Sequence, residues 1–386
     1  MDRRTATPRP NHAQTVQAQG LIYNDTTLPS GAVRQFWDES AYYAFSMSEI
    51  LRLEKATQEL HDLCLQAVDH VITKRRYHDF KIPEFAWAAI EESWEIDSPS
   101  IYGRFDLCYD GKGPAKLLEY NADTPTSLLE AAVIQWYWME ETNYGADQWN
   151  SIHDKLVACW QRHAPRIPNR RVHFAYTGAE ESGEDLMTVT YLRETANQAG
   201  LSTHTMTVEE IGWDHDNNRF STTDREPLTT IFKLYAWEWM FGDDFGQLAI
   251  AQRNFTQWIE PPWKCILSNK AILALLWELF PNHPNLLPAY LGNPNTLTNY
   301  AQKPILGREG ANISLVTRGS TLSQPGPYGE EGYVFQQYAP LPDFDDKYPV
   351  LGSWVIDGEA AGLGIRESDT LITDNLSRFV PHVVED

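Results

Sequence analysis

The stretch 102–126, Y-G-R-F-D-L-C-Y-D-G-K-G-P-A-K-L-L-E-Y-N-A-D-T-P-T, restricts this chain more than any other. Two short alternating runs flank Gly111, Lys112, Gly113 and Pro114, the pattern of a β-hairpin closed by a turn-forming loop. Pairing Asp110 with Ala115 sets Asp106 opposite Glu119 and Arg104 opposite Asn121. Alternate side chains share a face. Arg104, Asp106, Glu119 and Asn121 therefore gather on one side, and Phe105, Leu107, Leu118 and Tyr120 on the other. A one-residue slip would destroy this sorting. Two carboxylates and an amide oxygen suit a hard cation such as Mg²⁺, which keeps some waters and commonly takes substrate phosphates. The competing reading is a solvated face carrying ordinary ion pairs. The E-x-N spacing, the opposing aspartate and the adjacent N-A-D-T-P turn favour Asp106, Glu119 and Asn121 as a metal site.

The chain of 386 residues is 42% hydrophobic, enough for a large core divided into two or three subdomains. A formal net charge of −22 argues against nucleic acid or an anionic membrane surface as partner. Polyphosphate would need a local basic cluster together with a metal. Cys64, Cys108, Cys159 and Cys265 are widely spaced without a C-x-x-C pair, so a reducing compartment is expected. The polar start M-D-R-R-T-A-T-P-R-P-N-H leads into no apolar core. No run approaches the roughly 18 apolar residues that span a bilayer, and a cytoplasmic location is expected.

Residues 1–34 are rich in Pro, Thr, Gln and Asn and read as a flexible arm. Residues 35–170 read as a helical region with the hairpin and the helices that follow it. Ser46 and Glu49 form a capping-box pattern ahead of a stripe of Ile50, Leu53, Leu60, Cys64, Ala67 and Val71. Thr124 and Pro125 read as N-cap and first residue of a helix running through Met139, with its N-terminus near the polar hairpin face. Residues 171–262 change to strand, helix, strand: R-V-H-F-A-Y, a helix from Glu184, then a strand near Thr203, a βαβ-like α/β subdomain. Glu180, Glu181, Glu184 and Asp185 crowd that helix start. They read first as a solvated, dipole-favoured start, and alternatively as a site for an ammonium group.

Residues 263–386 carry the second half of the chemistry. Ser268 or Asn269 caps a helix with Lys270 in its first turn. A strand, Y-A-Q-K-P-I-L, holds Lys303, and G-R-E-G-A-N leads to a second strand, I-S-L-V. Such a loop can fold over phosphates as a flap, although an ordinary hairpin fits it equally. Lysine in mid-strand is costly without an anion. Gln337, Tyr338 and Ala339 close another strand with backbone groups able to read an adenine edge. A final hairpin turning at Asp357-Gly358 delivers Arg366.

Together, Asp106 with E-Y-N at 119–121, S-N-K-A-I-L at 268–273, K-P-I at 303–305, G-R-E-G-A-N at 307–312 and G-I-R-E at 364–367 resemble the glutathionylspermidine synthase family. The likeness is to stand-alone bacterial acid–amine ligases, and only the synthetase half of the bifunctional members is represented. The resemblance implies an α/β (α+β) fold of ATP-grasp type, with a pre-ATP-grasp α/β subdomain at 171–262 and the nucleotide-binding region at 263–386. It implies ATP and Mg²⁺ as cofactors, with Asp106, Glu119 and Asn121 as Mg²⁺ ligands. Arg104 and Arg366 would serve the reaction centre. Lys270 and Lys303 would hold ATP phosphates, Gly310 would cover them, and Gln337, Tyr338 and Ala339 would meet adenine. Thr124, Glu184 and Asp185 are candidates for the substrate end.

The expected chemistry is amide formation between a small, peptide-like acid and a polyamine-like amine through an acyl phosphate. Neither step requires a protein nucleophile. The alternatives are an ATP-dependent kinase acting on a small carboxylate or hydroxyl, and a nucleotide-binding regulatory module without ligase turnover.

Overall fold

The computed structural model describes residues 1–27, 31–180, 182–374 and 376–385. Its centre is an antiparallel five-stranded sheet in the order Arg378–Phe379, Glu359–Ser368, Tyr348–Ile356, Tyr102–Cys108, Lys116–Asn121. The acidic hairpin and the hairpin turning at Asp357-Gly358 thus share one sheet. Segments 35–170 and 263–386 are joined by these strands, because long-range strand pairing, not chain proximity, satisfies their backbone groups.

A second antiparallel sheet runs Ala289–Leu291, Tyr333–Gln337, Tyr300–Pro304, Ser314–Thr317, Ser320–Ser323. A parallel sheet of four strands, Gln257–Ile259, Thr230–Leu234, Arg171–Tyr176 and Ser202–Thr207, lies within 171–262. The helix Glu184–Gln198 links two of these strands. The 28-residue helix Met47–Lys74 starts at the reciprocal Ser46–Glu49 cap, and every residue of its expected apolar stripe is buried. The four cysteines are free and buried. No helix among the described residues is long and apolar enough to cross a membrane.

Three readings are corrected. The N-terminal arm is built into the fold, although positions 28–30 lie outside the described residues. Asp2–Thr5 pairs with Ala41–Ser46, which also pairs with the C-terminal strand His382–Glu385. Val16 and Leu21 are fully buried, and Arg9 forms a buried pair with Glu39 at 2.6 Å. Polar composition hid this anchoring, because its charges find partners far along the chain. The helix after the hairpin begins at 128, not at Pro125, and contains a π turn, Glu130–Ile134. Asp123 instead ties the preceding turn down by accepting from Lys233 Nζ at 2.6 Å and from the Trp237 backbone at 2.8 Å. Lys270 is the N-cap residue of its helix, which follows a short helix, Lys264–Ser268.

Candidate active site

The hairpin register sets Asp106 opposite Glu119 and Arg104 opposite Asn121. Phe105 and Tyr120 stack on the reverse face with ring centroids 3.8 Å apart. A register shift after Asp106 pairs Leu107 with Leu117. This bulge puts an extra residue on the second strand, so Leu118, expected on the apolar face, lines the polar cavity instead.

That cavity encloses about 690 Å³. Arg104, Asp106, Glu119 and Asn121 line it together with Lys303, Gly310, Gln337, Tyr338, Ala339 and Arg366. Thr124, Glu184 and Asp185 also border it. Lys270 does not: it lies behind the wall, 3.0 Å from Glu119 Oε2, and donates to the Gly307 carbonyl at 2.6 Å.

The charges are closely interlocked. Arg104 Nε donates to Asp106 Oδ1 at 2.8 Å, and its NH1 donates to the Thr126 carbonyl at 2.6 Å. Gly352, opposite Asp106 on the neighbouring strand, leaves room for this arginine, since a Cβ there would stand 2.9 Å from Arg104 Cδ. Arg366 pairs with the other Asp106 oxygen. The next residue, the fully buried Glu367, is held from the reverse side by Arg3 at 2.6 Å and by Tyr43 at 2.6 Å. The N-terminal strand thereby fixes the strand that presents Arg366. Asn121 Nδ2 lies 3.4 Å from Asp106 Oδ2 and 3.3 Å from Glu119 Oε1, bringing the three side chains together.

Burial opposes ionisation of Glu119, but Lys270, Lys303 and Arg366 outweigh it and hold the carboxylate well below its usual range. Burial pushes the Lys303 ammonium down to about 8, with Glu119 opposing the shift. Lys303 donates to Leu118 O and Gln336 Oε1, each at 2.8 Å.

The opposite end is acidic. Burial, Glu184 and Glu180 push Asp185 up to about 7, and burial also raises Glu184. Behind them the fully buried Glu130 is raised to about 8 by burial and by Glu184, and it accepts from Tyr23 at 3.0 Å. Glu181 lies outside the described residues.

Sequence reasoning missed Arg308, although it stands inside the quoted glycine loop. It pairs with Glu238, donates to Thr124 Oγ1 at 2.9 Å, and stacks 4.8 Å from the Trp239 ring centroid. It also missed the walls formed by Tyr23 and Phe36 and by Ile372 and Thr373. No local periodicity marks those segments. Only Arg308, inside the quoted loop, was findable in advance.

The fold matches a glutathione synthetase-like effector from Globodera pallida with a TM-score of 0.58 at 11% identity, covering 97% of this chain and 96% of that one. This places the architecture among glutathione synthetase-like, ATP-grasp-type folds. The glutathionylspermidine synthase pre-ATP-grasp family model matches residues 3–385, and the chain belongs to that family, whose named members are ligases forming carbon–nitrogen bonds. A Haemophilus influenzae protein provisionally named an acid–amine ligase is 40% identical over 397 residues, 99% of each chain. The bifunctional glutathionylspermidine synthetase/amidase of Escherichia coli is 29% identical across 96% of this chain, which spans 61% of that protein. Trypanothione synthetase of Crithidia fasciculata is 28% identical across 88% of this chain, which spans 56% of that protein.

Proposed function

We propose that this chain uses ATP to join a small, peptide-like carboxylic acid to a polyamine-like amine. The observation that carries this reading is the convergence of three distant stretches on one cavity: hairpin acids with Arg104, Lys303 with the Gly310 loop, and Arg366. Glu184 and Asp185 at its other end supply the charge that an ammonium-bearing substrate requires.

Asp106 and Glu119 offer carboxylate oxygens side by side with the Asn121 amide, which here turns Nδ2 toward both and would present Oδ1 on rotation, and this donor set fits Mg²⁺. When bound, the ion offsets phosphate charge and orients the transferring group. Arg104 and Arg366, flanking Asp106, would stabilise charge on the phosphoryl group and on the tetrahedral intermediate. Lys270, behind the wall, would keep Glu119 ionised and in place, while Lys303 would hold phosphates. Gly310 and its neighbours would cover them and exclude water. Gln337, Tyr338 and Ala339 would contact adenine beside the apolar Ala301, Leu315 and Ile372.

The γ-phosphoryl group passes from ATP to a carboxylate oxygen, releasing ADP. The amine nitrogen then attacks the acyl carbon, phosphate leaves with that oxygen, and the nitrogen loses a proton. An oxygen label on the acid must therefore appear in released phosphate when amine and Mg–ATP are supplied. Amide formed without label transfer would overturn the route. A phosphorylated acid that no amine consumes would instead identify a kinase.

A further inference from the structure

We propose that Cys159, His163 and Asp357 form a second metal site, of zinc type, remote from the nucleotide cavity. Cys159 and His163 lie four residues apart on the helix Ile152–His163, a spacing that puts both side chains on one face. Asp357 stands at the tip of the hairpin that returns to Arg366, with a φ of 55°. The three donor atoms all lie within 4.8 Å of one another.

A thiolate, an imidazole and a carboxylate make a donor set suited to Zn²⁺ and unlike the oxygen-only wall around Asp106. Zinc bond lengths put neighbouring donors about 3.4–3.6 Å apart in a tetrahedral site, so the cluster closes by shifts on the order of 1 Å. Cys159 is fully buried and His163 is 2% exposed. Nε2 of His163 faces Asp357 Oδ1 at 3.7 Å and Arg162 NH2 at 3.2 Å, so the guanidinium stands where a cation would bind. Asp357 pairs with Arg162, whose side chain is 56% exposed; solvent can take that guanidinium when a cation claims the carboxylate. His163 and Asp357 border a cavity of about 330 Å³, which leaves room for a water as fourth ligand. An ion here would staple the helix to the hairpin turn, making the position of Arg366 depend on zinc as well as on Glu367.

Titration of the chelator-treated full chain with Co²⁺ tests this directly. The expected result is a single equivalent bound with a thiolate-to-cobalt charge-transfer band, displaced by Zn²⁺, with thermal stability rising with free Zn²⁺. Cys159→Ser should abolish the band. Asp357→Asn, which keeps a residue tolerant of positive φ, should weaken Co²⁺ binding by at least the ~10-fold that loss of an outer-shell partner costs. Binding at Asp106 and Glu119 gives no sulfur band, so the two sites are optically distinct. A folded wild-type chain that binds Co²⁺ without that band, or a band that survives Cys159→Ser, overturns the site. Should Cys159→Ser fail to fold, the wild-type spectrum and the Asp357→Asn affinity decide the matter.

Discussion

Lys270 Nζ lies 3.0 Å from Glu119 Oε2 while donating to the Gly307 carbonyl at 2.6 Å. One ammonium therefore ties the acidic hairpin to the foot of the glycine loop, coupling two parts of the cavity that the chain keeps far apart.

Glu119→Gln separates metal binding from nucleotide binding. It keeps the shape but removes the negative charge that Lys270, Lys303 and Arg366 surround. Mg-dependent turnover should fall about 10²-fold or more. Metal-free ATP, by calorimetry, should bind as tightly as before or more tightly, because a positive surplus remains. Near-normal turnover would remove Glu119 from the metal role.

Lys303→Ala should raise the ATP dissociation constant by about 10- to 150-fold, the loss of a charge-assisted contact worth roughly 1.5–3 kcal/mol. Thermal stability should also drop, because Leu118 O and Gln336 Oε1 lose their shared donor. Unchanged nucleotide affinity would leave Lys303 a structural residue only.

The two ends of the cavity should respond oppositely to pH. Asp185 is raised to about 7, so a cationic amine must displace a proton below that value and should bind better as pH rises through it. Lys303 is lowered to about 8, so ATP affinity should weaken as pH rises past that point. Asp185→Asn should flatten the amine profile alone. Parallel profiles for both substrates would count against this division.

Glu130→Gln offers a stability test. The folded state raises Glu130 to about 8, so its protonation favours folding. That contribution is full below the ordinary glutamate value and is lost as pH rises through about 8. The glutamine variant should therefore gain on the wild type as pH rises, while still able to accept from Tyr23. Thermal melts across pH that keep a constant difference would refute this.

Gly310→Ala should impair loop closure. The residue has φ of +73°, and a Cβ would stand 2.6 Å from the Thr373 carbonyl oxygen. The left-handed conformation alone costs roughly 1–2 kcal/mol in other residues, and the carbonyl is backbone that yields poorly. The expected outcome is weaker ATP binding and greater protease sensitivity of the loop, with the far-ultraviolet spectrum unchanged.

The sequence by itself determined the elements whose signals are local. Alternation across the 102–121 hairpin set Arg104, Asp106, Glu119 and Asn121 on one face, because the pleat has a period of two. The Ser46–Glu49 cap and its apolar stripe fixed the long helix, because a capping box and helical spacing are read over a few residues. Tertiary structure alone decided what pairing over long distances controls. The bulge that turns Leu118 toward the cavity depends on the strand ends being held elsewhere. Arg3 and Tyr43 on Glu367, Arg366 on Asp106, and Arg308 on Glu238 each join residues whose separation no periodicity encodes. The polar N-terminal segment became structure for the same reason: its charges are satisfied by partners that only the folded chain brings within reach.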